Sequence, residues 1–228
     1  MEHPRRAWLH RPVVSTLAGL GVAWGGVLLV LGPAGRLLGP PDRLLTEVLA
    51  QLYLWLLVGL IVVIVVRWER QPLSSLNLRP FRWSSVTWGL LLAVVVRYIV
   101  MPPLMWAVEA AGLPGFDPGM TTALEAPIGL RVMQVVTAGV VEDTLFIGYA
   151  YTRLARRTGS GWIAGALAVT VMALLHLPNW GVGPVLVYLV TGSVYVAFFA
   201  WRSDLLANIT AHTTVDALAL VIVPLLAD

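Results

Sequence analysis

The stretch V-V-E-D-T-L-F-I-G-Y-A-Y, residues 140–151, decides the fold because it sets two adjacent carboxylates, Glu142 and Asp143, in a largely apolar run. A charged residue at the centre of a membrane-spanning helix costs roughly 2.5–3.5 kcal/mol on insertion scales. Two neighbouring acids in such a helix therefore need partners or water. The stretch predicts a membrane helix whose carboxylates face the interior of a helical bundle, where they either serve a reaction or join helices.

The composition around this stretch is that of an integral membrane protein. The chain has 228 residues, of which 58% are hydrophobic and only 12% are charged, about half the charged fraction of a soluble domain. All fifteen basic residues are arginine and the net charge is only +3, so we expect no nucleic-acid partner. Without cysteine, thiol catalysis and disulfides are excluded. We predict one membrane domain over residues 1–228, with the lipid bilayer as its partner.

Apolar runs of membrane-spanning length occur seven times, since about 20 apolar residues cross a bilayer core. The predicted spans are 13–31, 47–66, 86–108, 128–151, 161–176, 183–201 and 204–227. Eleven arginines fall in alternate loops and the N-terminus, against two in the other loops. By the positive-inside rule the N-terminus faces the cytoplasm and the C-terminus faces outward. The fold class is therefore an all-α polytopic bundle of about seven spans, which we expect in the plasma membrane of a prokaryote.

Polar side chains in the later spans could meet the two carboxylates. Asn208, His212 and Asp216 recur every four residues in the last span, so they share one face of that helix. A polar stripe on an apolar helix faces the bundle interior, and an Asp one turn from a His can orient its ring. His176, in the fifth span, is followed by Pro178, which we expect to end the helix.

This set of groups suits amide hydrolysis. Glu142 is the candidate general base, and His or Asn donors would stabilise the oxyanion that forms on an attacked carbonyl. Glu142, His176 and His212 are also a possible zinc set, because a catalytic zinc needs three protein ligands and an open position. The motif H-E-x-x-H is absent, so no spacing supports a metal, and the need for a divalent metal stays open.

At these residues the sequence resembles the CPBP family, also called the Abi or CAAX-protease-like family, which includes the eukaryotic type II CAAX prenyl endopeptidases. The family pattern is E-E-x-x-x-R, then F-x-x-x-H, then H-x-x-x-N/D, on three spans. In this sequence the first block begins at Glu142, the second block ends at His176, and the third block runs from His212 to Asp216. The resemblance extends over about residues 135–221, within a core of about 128–227.

The resemblance implies an intramembrane endopeptidase that acts on a peptide or membrane-associated protein. Glu142 and His176 would activate water, while His212 and Asp216 would stabilise the oxyanion or hold the site together, with Asp143 and Asn208 in support. Prenylated CAAX proteins are the substrate class of the eukaryotic relatives. Relatives are often labelled metalloproteases, although the chemistry can run on Glu and His alone.

Three positions depart from the family pattern: Asp143 replaces the second Glu, Met172 replaces Phe, and Ile147 replaces the Arg. The loss of the Arg removes a cation that would pair with the carboxylates. Arg97, the sole charge in the third span, lies at nearly the depth of Glu142. We expect Arg97, or less favourably Arg131, to pair with Glu142 or Asp143 in its place.

The predicted depths of the three motif residues disagree. By rise per residue, Glu142 and His212 fall near mid-membrane, whereas His176 lies about 15 residues along its span, toward the outer surface. For the three to meet, the fifth span must begin later, tilt or bend.

Two other functions remain open on the sequence. A catalytically inactive family member could bind a membrane partner or confer immunity to a peptide toxin, and the lost Arg at Ile147 favours it. A transporter or proton relay would also use acids and histidines within the membrane, but no inverted repeat or pair of broken helices supports one.

Overall fold

The computed structural model describes residues 5–31 and 44–227, and within these ranges the chain is helical without a strand. Residues 1–4 of the predicted N-terminal segment 1–12 and most of the first predicted loop lie outside the described residues, and the first helix begins at residue 5 rather than 13. We number the helices in chain order: α1 (5–31), α2 (Leu44–Trp68), α3 (Trp83–Ala110), α4 (Asp117–Glu125), α5 (128–158), α6 (Gly161–Trp180), α7 (Val182–Arg202) and α8 (Leu205–Ala227). A short 3₁₀ turn, Leu73–Leu76, lies between α2 and α3.

Six of these helices are long and apolar enough to cross a membrane, namely α1 from Val13, α2, α3, α6, α7 and α8. Their outward faces carry exposed apolar side chains such as Leu45, Ile99 and Trp106, which suits contact with lipid rather than water. The remaining predicted span is α5, a continuous helix that contains acidic residues and arginines and is therefore less apolar than the other six. The all-α bundle predicted from the sequence is confirmed, with six apolar spans and α5 enclosed among them.

Helix α5 is the buried centre of the bundle. Every residue from Asp143 to Tyr151 is buried, and the helix packs against α2, α6 and α8. Wider π-type turns run over Ala138–Tyr151, and such turns are rare and concentrate at functional sites. The helix does not end at residue 151 as predicted, because its helical geometry continues through Thr152–Thr158.

Small residues let α8 lie close to its neighbours. A Cβ on Gly139 of α5 would clash with Thr213 Oγ1, and one on Gly89 of α3 would stand 2.6 Å from the carbonyl oxygen of Ala207. Glycines at such crossings allow the backbones of membrane helices to approach. At the start of α8, Asp204 caps the helix through Ala207 N and accepts a 2.6 Å hydrogen bond from Ser85 Oγ of α3.

The segment predicted as a loop over residues 109–127 contains one helix, α4. Its first turn holds Asp117 and a proline, both favoured at a helix start. The sequence did not predict this helix because the segment is rich in glycine and proline. Gly119 lies against the ring of Trp180 at the end of α6, so α4 covers one end of the bundle.

Candidate active site

Glu142 and His176 meet between α5 and α6. Glu142 Oε2 lies 3.6 Å from His176 Nε2, and both side chains are about one-quarter exposed or less. His176 Nδ1 lies 2.8 Å from the carbonyl oxygen of Met172. Because a carbonyl can only accept, Nδ1 carries a proton in this bond. The other ring nitrogen, Nε2, is therefore the one that faces the carboxylate.

The depth disagreement is resolved by the length of the helices. Helix α5 continues to Thr158 and α6 begins at Gly161, so the two form an antiparallel hairpin. The stretch from Glu142 to the end of α5 is nearly as long as the stretch from the start of α6 to His176. At about 1.5 Å per residue, both groups lie roughly 22–24 Å from the connecting turn. Pro178 does not end α6, contrary to the prediction, because the helix runs through it to Trp180.

His212 lies between two carboxylates on different helices. Its Nδ1 is 3.1 Å from Asp143 Oδ1 on α5, and its Nε2 is 3.6 Å from Asp216 Oδ2 on its own helix. The Asp143 side chain is only 2% exposed. A buried carboxylate needs a charged or hydrogen-bonded partner, and His212 supplies it. The imidazole thus lies between two carboxylates, one on α5 and one on its own helix.

Asn208 lies on the predicted stripe but supports the site from a distance. It is fully buried, and its Nδ2 donates a 3.1 Å hydrogen bond to the carbonyl oxygen of Tyr195 on α7. This bond fixes α7 against α8 one turn before His212. The structure therefore places Asn208 as a connection between helices rather than in contact with the two histidines.

Two tyrosines of α7, which the sequence analysis missed, flank the histidines. The ring of Tyr188 is 4.6 Å from that of His176, and the ring of Tyr195 is 5.6 Å from that of His212. Their separation of seven residues places them two turns apart on one face of α7. Among the described side chains, the buried hydroxyl of Tyr195 has no hydrogen-bond partner. The seven-residue spacing of Tyr188 and Tyr195 is visible in the sequence, but the apolar residues around the two tyrosines make it hard to recognise.

The expected pairing of Arg97 with the carboxylates is not found. Arg97 lines the same cavity as Glu142, but the ion pairs within 4.0 Å in the described part of the chain join neither acid to it. Arg131 instead donates a 3.1 Å hydrogen bond to the carbonyl oxygen of Leu220. Histidines take the place of an arginine: His212 pairs with Asp143 and His176 faces Glu142. Ile147, at the position of the family's Arg, is only 3% exposed.

These groups line a cavity of about 1250 Å³. Glu142, His176, His212 and Asp216 all contribute to its wall. The cavity extends from α2 and α3 on one side to α4 on the other. It combines a cluster of acids and histidines with apolar walls, the usual character of a ligand site.

The described acids and histidines of the site are not arranged as a metal-binding group. Among the described side chains, no three His, Cys, Asp or Glu residues come together as a metal-binding group. His212 Nδ1 is engaged by Asp143 at 3.1 Å, whereas its Nε2 lies 3.6 Å from Asp216, beyond a direct hydrogen bond.

One comparison with known proteins found a similar family. The family model described as type II CAAX prenyl endopeptidase Rce1-like matches residues 124–218, a segment that contains Glu142, His176, His212 and Asp216. No curated protein and no solved structure matches the chain. The resemblance inferred from the motifs is confirmed, and at the level of the family it indicates a CAAX-type membrane endopeptidase.

Proposed function

From the match of residues 124–218 to the type II CAAX prenyl endopeptidase Rce1-like family, we propose that this protein is an intramembrane endopeptidase that uses Glu142 and His176 to activate water. The observation that carries the proposal is the approach of the Glu142 carboxylate to His176 Nε2 at 3.6 Å inside a cavity. This distance exceeds a direct hydrogen bond and suits two groups that hold one water between them.

In the proposed reaction, Glu142 accepts a proton as the water oxygen attacks the carbonyl carbon of the scissile amide. The carbonyl electrons move to oxygen and give a tetrahedral oxyanion. His176, in its protonated form, then donates a proton to the amide nitrogen as the C–N bond breaks. The products are a carboxylic acid and an amine, and the proton on Glu142 resets His176. General acid and base groups of this kind contribute typically 10²–10⁴-fold to the rate.

His212 and Tyr195 are the proposed donors for the oxyanion. His212 faces the carboxylates of Asp143 and Asp216, and as an imidazolium it would carry the positive charge that the family's Arg would otherwise bring to this region. Tyr195 offers a buried hydroxyl on the same wall. Preorganised donors aimed at a developing negative charge are usually the largest source of catalytic acceleration.

The proposed substrate is a peptide or a membrane-associated polypeptide. A cavity of about 1250 Å³ exceeds the usual volume of a small-molecule site, roughly 300–1000 Å³, and its location among membrane helices favours a substrate that reaches it from the bilayer. The reaction as proposed needs no metal. The proposed location is a prokaryotic plasma membrane, and the arginine distribution predicts that the N-terminus lies in the cytoplasm.

The second candidate function is a catalytically inactive member of the family that binds a membrane partner. The observation in its favour is Ile147, a buried apolar residue where the family has Arg. It predicts that binding of the partner, rather than cleavage, is the activity, and that loss of the Glu142 carboxylate leaves that activity intact.

Cleavage of a quenched peptide library by purified full-length protein tests the proposal. We expect Glu142→Gln to lower kcat/KM by roughly 10²–10⁴-fold and a strong chelator to leave the wild type active. Glu109→Gln is the matched control, because Glu109 is exposed at the end of α3 and does not line the cavity. Equal cleavage by wild type and Glu142→Gln would reject Glu142 as the base, and loss with chelator would require a metal.

A further inference from the structure

A second pocket, far richer in positive charge, lies beside α5 at the end opposite to α4. It has a volume of about 530 Å³, and its wall includes Arg67, Arg70, Arg153, Arg156, Arg157 and Glu69. We call it the arginine pocket. Five guanidinium groups face one carboxylate, which gives the pocket a formal charge of +4. The proposed peptidase chemistry uses none of these residues.

The single carboxylate of the pocket is already committed. Glu69 Oε2 lies 2.7 Å from Arg153 Nη2, and both side chains are less than a tenth exposed. Arg153 also donates to the carbonyl oxygen and to the hydroxyl of Ser75, and Glu69 accepts from the Tyr149 hydroxyl. This buried pair joins the loop after α2 to α5 and forms the floor of the pocket.

The other four arginines keep their charge available. Arg67, Arg70, Arg156 and Arg157 are exposed, and within the described ranges none has a carboxylate within 4.0 Å. Like charges that share one pocket repel each other. Because no described carboxylate pairs with them, these guanidinium groups favour an anion as their counterpart.

The level of the pocket in the membrane follows from the helices around it. Arg67 and Trp68 are the last residues of the apolar span α2, while Ser15 and Thr16, near the start of the first apolar span, line the other side. Trp68 is 49% exposed, as tryptophans are in the belt at the headgroup level. The pocket therefore opens where the phosphates of a bilayer lie.

The backbone at Arg70 supports a role for its side chain. Arg70 has φ +54°, a left-handed conformation that glycine or asparagine adopts with less strain. The turn is fixed by hydrogen bonds from Glu69 N to Ile64 O and from Gln71 N to Val65 O. An arginine held at such a position is a strained residue of the kind that clusters at ligand sites.

We propose that the arginine pocket binds a phosphate group at the membrane surface. Guanidinium groups bind phosphate oxygens through paired, charge-assisted hydrogen bonds, and basic pockets between membrane helices bind anionic headgroups. The phosphate comes either from an anionic phospholipid of the surrounding leaflet or from soluble phosphate. The site is independent of the peptidase proposal.

The test counts lipids retained by the purified full-length protein in native mass spectrometry, with phosphatidylglycerol or phosphatidylcholine added to the detergent micelles. The pocket variant is Arg156→Gln/Arg157→Gln, which leaves the buried Arg153–Glu69 pair intact. The control is Arg79→Gln/Arg82→Gln, which removes the same charge from two exposed arginines outside the pocket. A third arm repeats the titration in the presence of inorganic phosphate.

We expect phosphatidylglycerol to bind more tightly than phosphatidylcholine, and the pocket variant to weaken this binding by about 30-fold, at the strength of two basic residues near an anionic surface. The control pair should bind like the wild type. Competition by inorganic phosphate with no preference between lipids would assign the pocket to soluble phosphate. Equal loss in both variants, or no anion binding at all, would overturn the proposal.

Discussion

Glu142 and His176 stand at the same level of an antiparallel helical hairpin, with Oε2 and Nε2 3.6 Å apart, although they lie on different helices and far apart in sequence. Helix α5 leads away from Glu142 to Thr158, and α6 returns over a nearly equal length from Gly161, so the hairpin itself aligns the two groups. The pairing depends on the lengths of the two helices rather than on any local motif. This relationship makes the pair testable as a unit.

His176→Gln should lower kcat by roughly 10²–10⁴-fold, because glutamine cannot carry the proton to the leaving nitrogen. The melting temperature should change little, since the side chain is one-fifth exposed. The double variant Glu142→Gln/His176→Gln should be no slower than the worse single variant, as groups that act together are non-additive. Full additivity in kcat would show that the two residues act separately.

Asp143→Asn should reduce kcat more than Asp216→Asn does. The Asp143 carboxylate is 3.1 Å from His212 and buried, whereas Asp216 is 3.6 Å away and 29% exposed. Hydrogen bonds to charged groups contribute about 1.5–3 kcal/mol, so we expect a loss of roughly 10- to 150-fold for Asp143→Asn. Steady-state kinetics of the two variants provide the measurement, and KM should stay within a few fold in both. The reverse order would assign the main support of His212 to Asp216.

The sequence was sufficient to predict the helical membrane bundle and to single out Glu142, His176, His212 and Asp216, which line one cavity, because a charge in an apolar span has few physical explanations. It was not sufficient to predict how far each helix runs. Arg153, Arg156 and Arg157 suggested a loop after residue 151, yet α5 continues through them, since Arg153 is neutralised by Glu69 and the others reach solvent. The wide π-type turns of Ala138–Tyr151 could not be predicted from the hydrophobic pattern either.

The sequence was also not sufficient to predict which residue pairs with the two carboxylates of α5. Arg97 was the natural choice by depth, but depth does not fix the direction of a side chain around the helix axis. The same limit applies to Tyr188 and Tyr195, whose contacts with the histidines depend on how α7 is rotated against α6 and α8. Such rotations follow from packing over the whole bundle.

Tyr195→Phe should lower kcat by roughly 10- to 150-fold while KM and the melting temperature stay near the wild-type values. The variant keeps the ring beside His212 and removes only a buried hydroxyl that has no partner among the described residues. A donor to a charged oxygen contributes about 1.5–3 kcal/mol. Tyr53→Phe is the control, because its hydroxyl bonds Gly26 O outside the cavity. Unchanged kcat in Tyr195→Phe would remove Tyr195 from the proposed oxyanion donors.

Gly139→Ala should damage both stability and activity, because the added Cβ would clash with Thr213 Oγ1 and force α5 and α8 apart. Thr213 follows His212, and Gly139 lies one turn before Asp143. Moving the two helices apart at this point would therefore lengthen the hydrogen bond between His212 and Asp143. Over-packing of this kind costs typically about 1–3 kcal/mol.

Gly129→Ala on the same helix is the matched control for this change. A Cβ there meets nothing within 4 Å, so the added methyl group causes no clash. Thermal unfolding in detergent and peptide cleavage should therefore distinguish the two alanines, with loss only at position 139. If Gly139→Ala kept full activity, the close crossing of α5 and α8 would not be what holds His212 against Asp143.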